Sequence, residues 1–425
     1  MAAALGVLVS CGSVKSGEEV VAASRDSKVV VAYVTSWSEV MPDPQYMTHI
    51  NYAFGHVNES FNGVKIDNEE RLRQIVDLRK QKPELKVLLS IGGWGSGRFS
   101  EMAANDEYRR AFAADCDRVV KEFALDGIDI DWEYPTSSMA NISSSPDDTE
   151  NFTLLMQDIR AAIGNEKELT LATVASARYI DFKAILPSVD FVNIMAYDMA
   201  SAPKHHSALY PSGHSGDITS DGAVTAHLKA GVPPSKLVMG MPFYGRGGDG
   251  YPSFQDYNKV GNTDTQYTEK WDEVAQVPYL ADKNDTLVFG FENPRSLAIK
   301  CQYILDKDLL GGMYWDYSGD NEQGDLRRTV AENLLGKPHK AKVLVLTERG
   351  GQHGGFTDAG LRWLAAEGVK GNFSITEINN ARNITEAYLS QFSLVIQLDF
   401  PPYTWPKEAE DAFVKYKIGR ASCRE

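Results

Sequence analysis

The stretch DGIDIDWEY, Asp126 to Tyr134, decides how this chain is read. On an extended strand side chains alternate, so Asp129, Asp131 and Glu133 share one face while Ile128, Ile130 and Trp132 share the other. The apolar set suits packing against helices. The acidic set places three carboxyls at next-but-one spacing, roughly 7 Å apart along the strand. Carboxylates that close inside a fold cannot all ionise cheaply, so at least one proton is retained near neutral pH. A carboxylic acid still protonated at working pH is what a general acid requires. The bland reading is a half-exposed strand whose acids face water, and the surroundings decide between the two.

Working outward, strand-like and helix-like segments alternate from about residue 28 to 337. Val29–Val34, Ile50–Phe54, Val87–Ile91, Ile128–Trp132, Leu169–Val174, Phe191–Met195, Leu237–Met241 and Gly312–Trp315 are eight strand candidates. Helical patterns such as Tyr108–Phe123 lie between them. That alternation predicts parallel strands with covering helices, and eight units predict a closed (β/α)8 TIM barrel. An open doubly wound sheet is the alternative. It lacks the glycine fingerprint that would follow a first, phosphate-binding strand. In such barrels chemistry gathers at the C-terminal strand ends. There the chain carries Ser90-Ile91-Gly92-Gly93-Trp94, then Asp131 and Glu133, Met195-Ala196-Tyr197-Asp198, Met241 to Arg246, and Trp315.

The long Gly247–Asp285 segment is expected to wall a cleft, anchored by Trp271, Val274 and Tyr279. After Pro338 the organisation restarts. Lys342–Thr347, Phe373–Ile378 and Phe392–Leu398 read as strands, Asp358–Glu367 and the stretch from Lys407 as helices: the start of a second α/β domain over 341–417. Residues 418–425 change character and read as sequencing-adapter or vector sequence, which would leave that domain cut short.

Length allows one large domain and a smaller one. With 43% hydrophobic and 24% charged residues the composition is ordinary for a globular chain. A net charge of −15 excludes a nucleic-acid partner and fits a neutral one. No apolar run reaches the ~20 residues of a membrane span. Cys116 and Cys301 fall in helical patterns and read as buried thiols; no Cys/His group has metal-ligand spacing, and no cofactor is expected. His205-His206 lies between Pro203 and Pro211 and reads as a solvated or substrate-edge loop. Ala2 to Val9 is apolar and runs into Leu8-Val9-Ser10-Cys11, which resembles a bacterial lipoprotein processing box, although no Lys or Arg precedes it. Residues 1–27 are therefore read as a lipoprotein-type signal and polar tether, with a lipid on Cys11 and a place at the bacterial cell envelope or exterior.

Together the motifs resemble the family-18 glycoside hydrolases, the chitinase family. The signature DxxDxDxE is met by Asp126, Asp129, Asp131 and Glu133, SxGG by Ser90, Gly92 and Gly93, MxYD by Met195, Tyr197 and Asp198, and the closing tryptophan by Trp315. The likeness spans 28–338. It implies that a monomer hydrolyses β-1,4-linked N-acetylglucosamine polymers (chitin or chito-oligosaccharide), with retention, through the substrate's own acetamide. Glu133 would be the acid. Asp131 would orient the acetamide, Asp129 tune its neighbours, Tyr197 bind the acetamide oxygen and Trp315 floor the sugar. Met195, Asp198, Tyr244 and Arg246 would contact substrate, with Trp94 and Tyr33 lining the cleft. Ser90 would support Asp129, Gly92 and Gly93 would let backbone pass close to the cluster, and Asp126 is expected only to cap or pair locally. An endo-β-N-acetylglucosaminidase of N-glycan cores shares these residues; a sugar-binding lectin on a dead barrel would lack the acid. Residues 341–417 resemble the start of a ThuA-like domain, which has a glutamine-amidotransferase-like fold.

Overall fold

The computed structural model describes residues 28–248, 251–260, 267–336, 341–347, 354–371, 373–382, 384–398 and 405–419. The lipoprotein-type signal, Cys11 and Cys423 lie outside them.

Eight strands, Val29–Thr35, His49–Val57, Lys86–Gly92, Gly127–Asp131, Glu168–Val174, Phe191–Met195, Leu237–Pro242 and Gly311–Trp315, form the barrel of a nine-stranded sheet, to which Val64–Ile66 adds antiparallel beside the second. Each barrel strand runs parallel to the next, and the first pairs with both the second and the eighth, so the sheet closes. This is the barrel the alternation predicts. Closure removes both sheet edges and gives every strand two buried faces.

The faces differ in chemistry. The outward one is apolar: Ile128 and Ile130 are inaccessible to solvent, and Trp132 stacks on Phe99 at 5.3 Å between ring centroids, with Phe152 at 6.0 Å. Phe99 and Phe152 belong to the helices Phe99–Ala104 and Asp148–Ile163, so the apolar half of DGIDIDWEY does face helices. Burial of this kind is what holds the helical ring to the sheet. The inward face mixes a small apolar cluster of Val31, Tyr33, Ala53, Phe191, Val238 and Met313 with buried polar Asn51, Ser90, Asp129, Thr170 and Asn193. Strand register sets Ser90 opposite Asp129 and Asp129 opposite Thr170, which puts three polar groups at one level. Cys116 and Cys301 are buried thiols in helices, as read.

Between the seventh and eighth barrel strands the chain builds an antiparallel five-stranded sheet. Its order is Gln255–Asp256, Tyr244–Gly247, Leu287–Gly290, Val277–Ala281, Thr268–Asp272. Phe289, Phe291, Leu280, Val288 and Tyr251 form its own small core. Tyr279 is buried as expected, and Trp271 lies under the Arg295 guanidinium. Val274 is not an anchor: it is 58% exposed, because it follows Asp272 at a turn whose amides cap that carboxylate.

Past residue 340 a separate parallel sheet has the order Phe373–Ile378, Ala341–Thr347, Leu394–Leu398. Helices Gly354–Gly371, Glu386–Ser390 and Lys407–Gly419 accompany it, with Leu344, Leu346, Leu389 and Phe392 in its core. This is the α/β pattern the sequence suggests. The last helix continues through Gly419, into the segment read as foreign.

Candidate active site

Asp129 sits at the centre of the barrel and is inaccessible to solvent. Tyr33 and Ser90 donate to its Oδ2 at 2.8 and 2.9 Å. Thr170 and Asn193 donate to Oδ1 at 2.5 and 3.3 Å. Burial raises this carboxyl above its ordinary range, and the four donors work against that shift. Thr170 and Asn193 were not singled out from sequence; strand alternation puts both on the inward face, and that was the signal for them.

One residue pair further up, Asp131 is also buried, and its Oδ1 has no protein partner. Burial, then the Glu133 and Asp129 charges, push it well above the usual carboxylate range. Glu133, just past the strand end, is pushed up to about 7, first by burial, against a hydrogen bond from Tyr134, with the Asp198 charge adding to the rise. These groups titrate as a unit. A carboxyl that keeps its proton to near neutrality can serve as a general acid, so kcat/KM of any reaction it serves should fall above a midpoint near pH 7, where the proton is lost. A profile flat through pH 9 would exclude that assignment.

The chain passes very near this cluster at Gly92, whose φ is +133°, and a Cβ there would stand 2.0 Å from the Asp131 carbonyl oxygen. Gly93 donates its N–H to that same oxygen at 2.8 Å. Gly92→Ala must therefore prise the third and fourth strands apart and is expected to cost about 3 kcal/mol or more. A lowered urea midpoint would measure it.

Glu133 and Asp131 open into a cavity of about 670 Å³. Trp315, Tyr33, Trp37, Phe54, Met195, Tyr197, Tyr244 and Phe254 line it, together with Trp94, Tyr134, Asp198 and Arg246. Trp315 stacks on Phe54 at 5.6 Å and leans on Tyr33 at the same separation. Trp94 and Trp37 are 61% and 63% exposed, leaving their faces open at the mouth. Flat aromatic faces of this kind suit the C–H surfaces of sugar rings. Trp37, Phe54 and Phe254 were missed from sequence because they come from loops and a second-strand end without a motif of their own.

Tyr197 lies beside Tyr244 at 6.1 Å between ring centroids; its hydroxyl is 3.7 Å from Met313 Sδ, and burial raises its pKa well above the ordinary value. Arg246 binds Asp198 through two hydrogen bonds, of 2.7 and 2.5 Å. Although burial would raise Asp198, the Arg246 and His206 contacts hold it below the usual carboxylate range. Arg246, expected to contact substrate, lines the cavity while paired with Asp198. Asp126 lies away from the cavity: it accepts from the Val87 N–H at 2.7 Å and pairs with Arg79.

The histidine pair is not a solvated loop. His205 and His206 are 2% and 1% exposed. His205 Nε2 is 3.1 Å from Asp272, and His206 packs against Tyr244. The insertion sheet covers them, which two flanking prolines could not foretell. Among the described residues no group of His, Cys, Asp and Glu could hold a metal ion.

Comparison with known proteins agrees with this geometry. The family described as glycosyl hydrolases family 18 matches residues 29–320. Chitinase A1 of Niallia circulans is 30% identical over 71% of this chain and 58% of its own length. Chitotriosidase-1 of Mus musculus is 31% identical over 69% of this chain and 74% of its own. A family-18 N-acetylglucosaminidase from Paenibacillus barengoltzii superposes with a TM-score of 0.67 at 32% identity, covering 72% of this chain and 99% of that one. The chain spans less than two thirds of the length of the Niallia relative. A closed barrel, a carboxyl raised by burial at a strand end and a family match over most of the chain lead to one conclusion: this protein belongs to the family-18 glycosyl hydrolases and is a glycoside hydrolase.

Proposed function

We propose that the protein is a chitinase, cleaving β-1,4 bonds of N-acetylglucosamine polymers with retention and with the substrate's acetamide as nucleophile. The observation that carries this reading is the stack Asp129–Asp131–Glu133 at the base of an aromatic cavity, with Glu133 pushed up to about 7. Glu133 gives its proton to the glycosidic oxygen as the bond to the anomeric carbon breaks. The acetamide oxygen closes on that carbon, and the positive charge spreads over the resulting oxazolinium. Asp131, whose Oδ1 is unpartnered, accepts the acetamide N–H and offsets that charge. The Tyr197 hydroxyl donates to the acetamide oxygen, and Trp315 floors the ring. Glu133, now ionised, takes a proton from the water that adds at the same carbon, so the anomer is retained and the acid is restored.

Relatives named as chitinases support the substrate class. An endo-β-N-acetylglucosaminidase would use the same residues. Digestion of colloidal chitin and a high-mannose glycoprotein side by side separates the two: soluble chito-oligosaccharide is expected, and release of intact glycan alone would defeat the chitinase reading. Binding without any turnover would favour a lectin. We also infer, from sequence resemblance alone, that 341–417 is ThuA-like, and that Cys11 carries a lipid that holds the protein at the cell envelope.

A further inference from the structure

His206 is nearly inaccessible to solvent, yet its Nε2 has no hydrogen-bond partner. A buried polar atom left unpaired costs stability, so an apolar side chain would suit the site better on packing grounds alone. The other ring nitrogen does have company. Nδ1 accepts the Asp198 backbone N–H at 3.5 Å and lies 3.4 Å from Asp198 Oδ1. Asp198 itself has a φ of 53°, in the left-handed region that a non-glycine residue occupies only when its neighbours hold it there. The Met199 N–H donates to the His206 carbonyl at 3.0 Å, so His206 grips Asp198 and the residue after it.

The histidine is fixed from both sides. His205 is tied to Asp272 of the insertion sheet. Ser207 donates its hydroxyl to Glu292 at 2.6 Å and accepts from Lys300, and Glu292 and Lys300 form a fully buried ion pair. The loop after the sixth strand is thereby bolted to the insertion sheet and to the helix Pro294–Asp306, and the His206 ring has nowhere to drift. Breaking one member of such a pair is costly, which makes the anchor rigid.

We propose that His206 is a positioning residue of this active site: through Nδ1 it holds Asp198, which lines the same cavity as Glu133, in its left-handed backbone conformation and so sets where the carboxylate sits. The inference rests on the hydrolase mechanism proposed above. Besides His206, the titratable and charged groups around Asp198 are Glu133 and Tyr134 at the fourth strand, Tyr197 beside it, and Tyr244 and Arg246 from the insertion sheet. Only Arg246 and His206 lower the Asp198 pKa. Removing the histidine therefore moves the Asp198 carboxyl back toward its ordinary range, while Arg246 still pairs with it.

The test compares His206→Leu, which keeps bulk without an acceptor for the Asp198 N–H, with His206→Asn, which keeps one. In Leu kcat/KM on chitotetraose falls about tenfold, mostly in kcat, as expected for one lost hydrogen bond to a residue beside the acid. Asn restores most of the loss, and the Leu melting temperature does not fall. An unchanged kcat/KM in Leu, or an equal loss in both variants with a fall in melting temperature, overturns the proposal. The carboxyl shift of Asp198 in protein labelled with carbon-13 aspartate, assigned by its loss in Asp198→Asn, is followed in parallel. The shift is expected to change in Leu and to return in Asn; it reads the setting of that carboxyl without turnover, so a protein inactive on chitotetraose would sink the mechanism and leave the His206 assignment still decidable.

Discussion

Glu133→Gln is expected to bind chito-oligosaccharide and to lose turnover by about three orders of magnitude or more, the upper part of the range for a general acid whose later role as base is also removed. The amide is isosteric, so the cavity wall is unchanged, but it has no proton to give to a leaving oxygen. Binding by calorimetry and product release by chromatography read the two halves separately. Wild-type rates in this variant would rule out Glu133 as the acid. The same substitution carries a stability signature. Glu133 is raised in the folded protein to about 7, well above its unfolded value, so its contribution to stability is present at low pH and lost as pH climbs to 7. The Gln variant therefore gains stability relative to wild type between about pH 4.3 and 7. A denaturation series across that window showing the reverse slope would contradict the burial argument.

The second large effect is expected at Asp131→Asn. Its Oδ1 is buried and unpartnered in the free protein, so the side chain stands ready for a donor that only substrate can supply. An Asn there can still accept one N–H, but it carries no charge to set against an oxazolinium. Loss of such a preorganised electrostatic partner costs about 10²–10³ in kcat, and the loss should appear in kcat more than in KM because the charge develops only in the transition state. Equal loss in KM would assign Asp131 to ground-state binding.

Much of this protein was legible in its sequence because its signals are local. The eight barrel strands appear within a few residues of where β-rich runs predict them, since both faces are buried and the runs are short and apolar. The alternation in DGIDIDWEY sorted its acids from its apolar residues correctly, a consequence of the two-residue period of a strand. What was misread depended on partners distant in sequence. His205 and His206 look solvated until the insertion sheet covers them, and Val274 looks like an anchor until a turn at Asp272 exposes it. Thr170 and Asn193 are unremarkable in their own segments and become Asp129 ligands only through strand register.

The chain alone determined the barrel, the order of its motifs and which carboxyl of the fourth strand is last in line, because side-chain alternation and hydrophobic pattern are properties of neighbouring residues. Only the tertiary structure decided how burial raises those carboxyls, that Asp198 is clamped between Arg246 and His206, and that aromatic rings from six barrel strand ends and the insertion sheet close on one cavity. The reason is that burial and electrostatic coupling depend on distance in space, and closure of the barrel brings together groups that lie up to hundreds of residues apart along the chain.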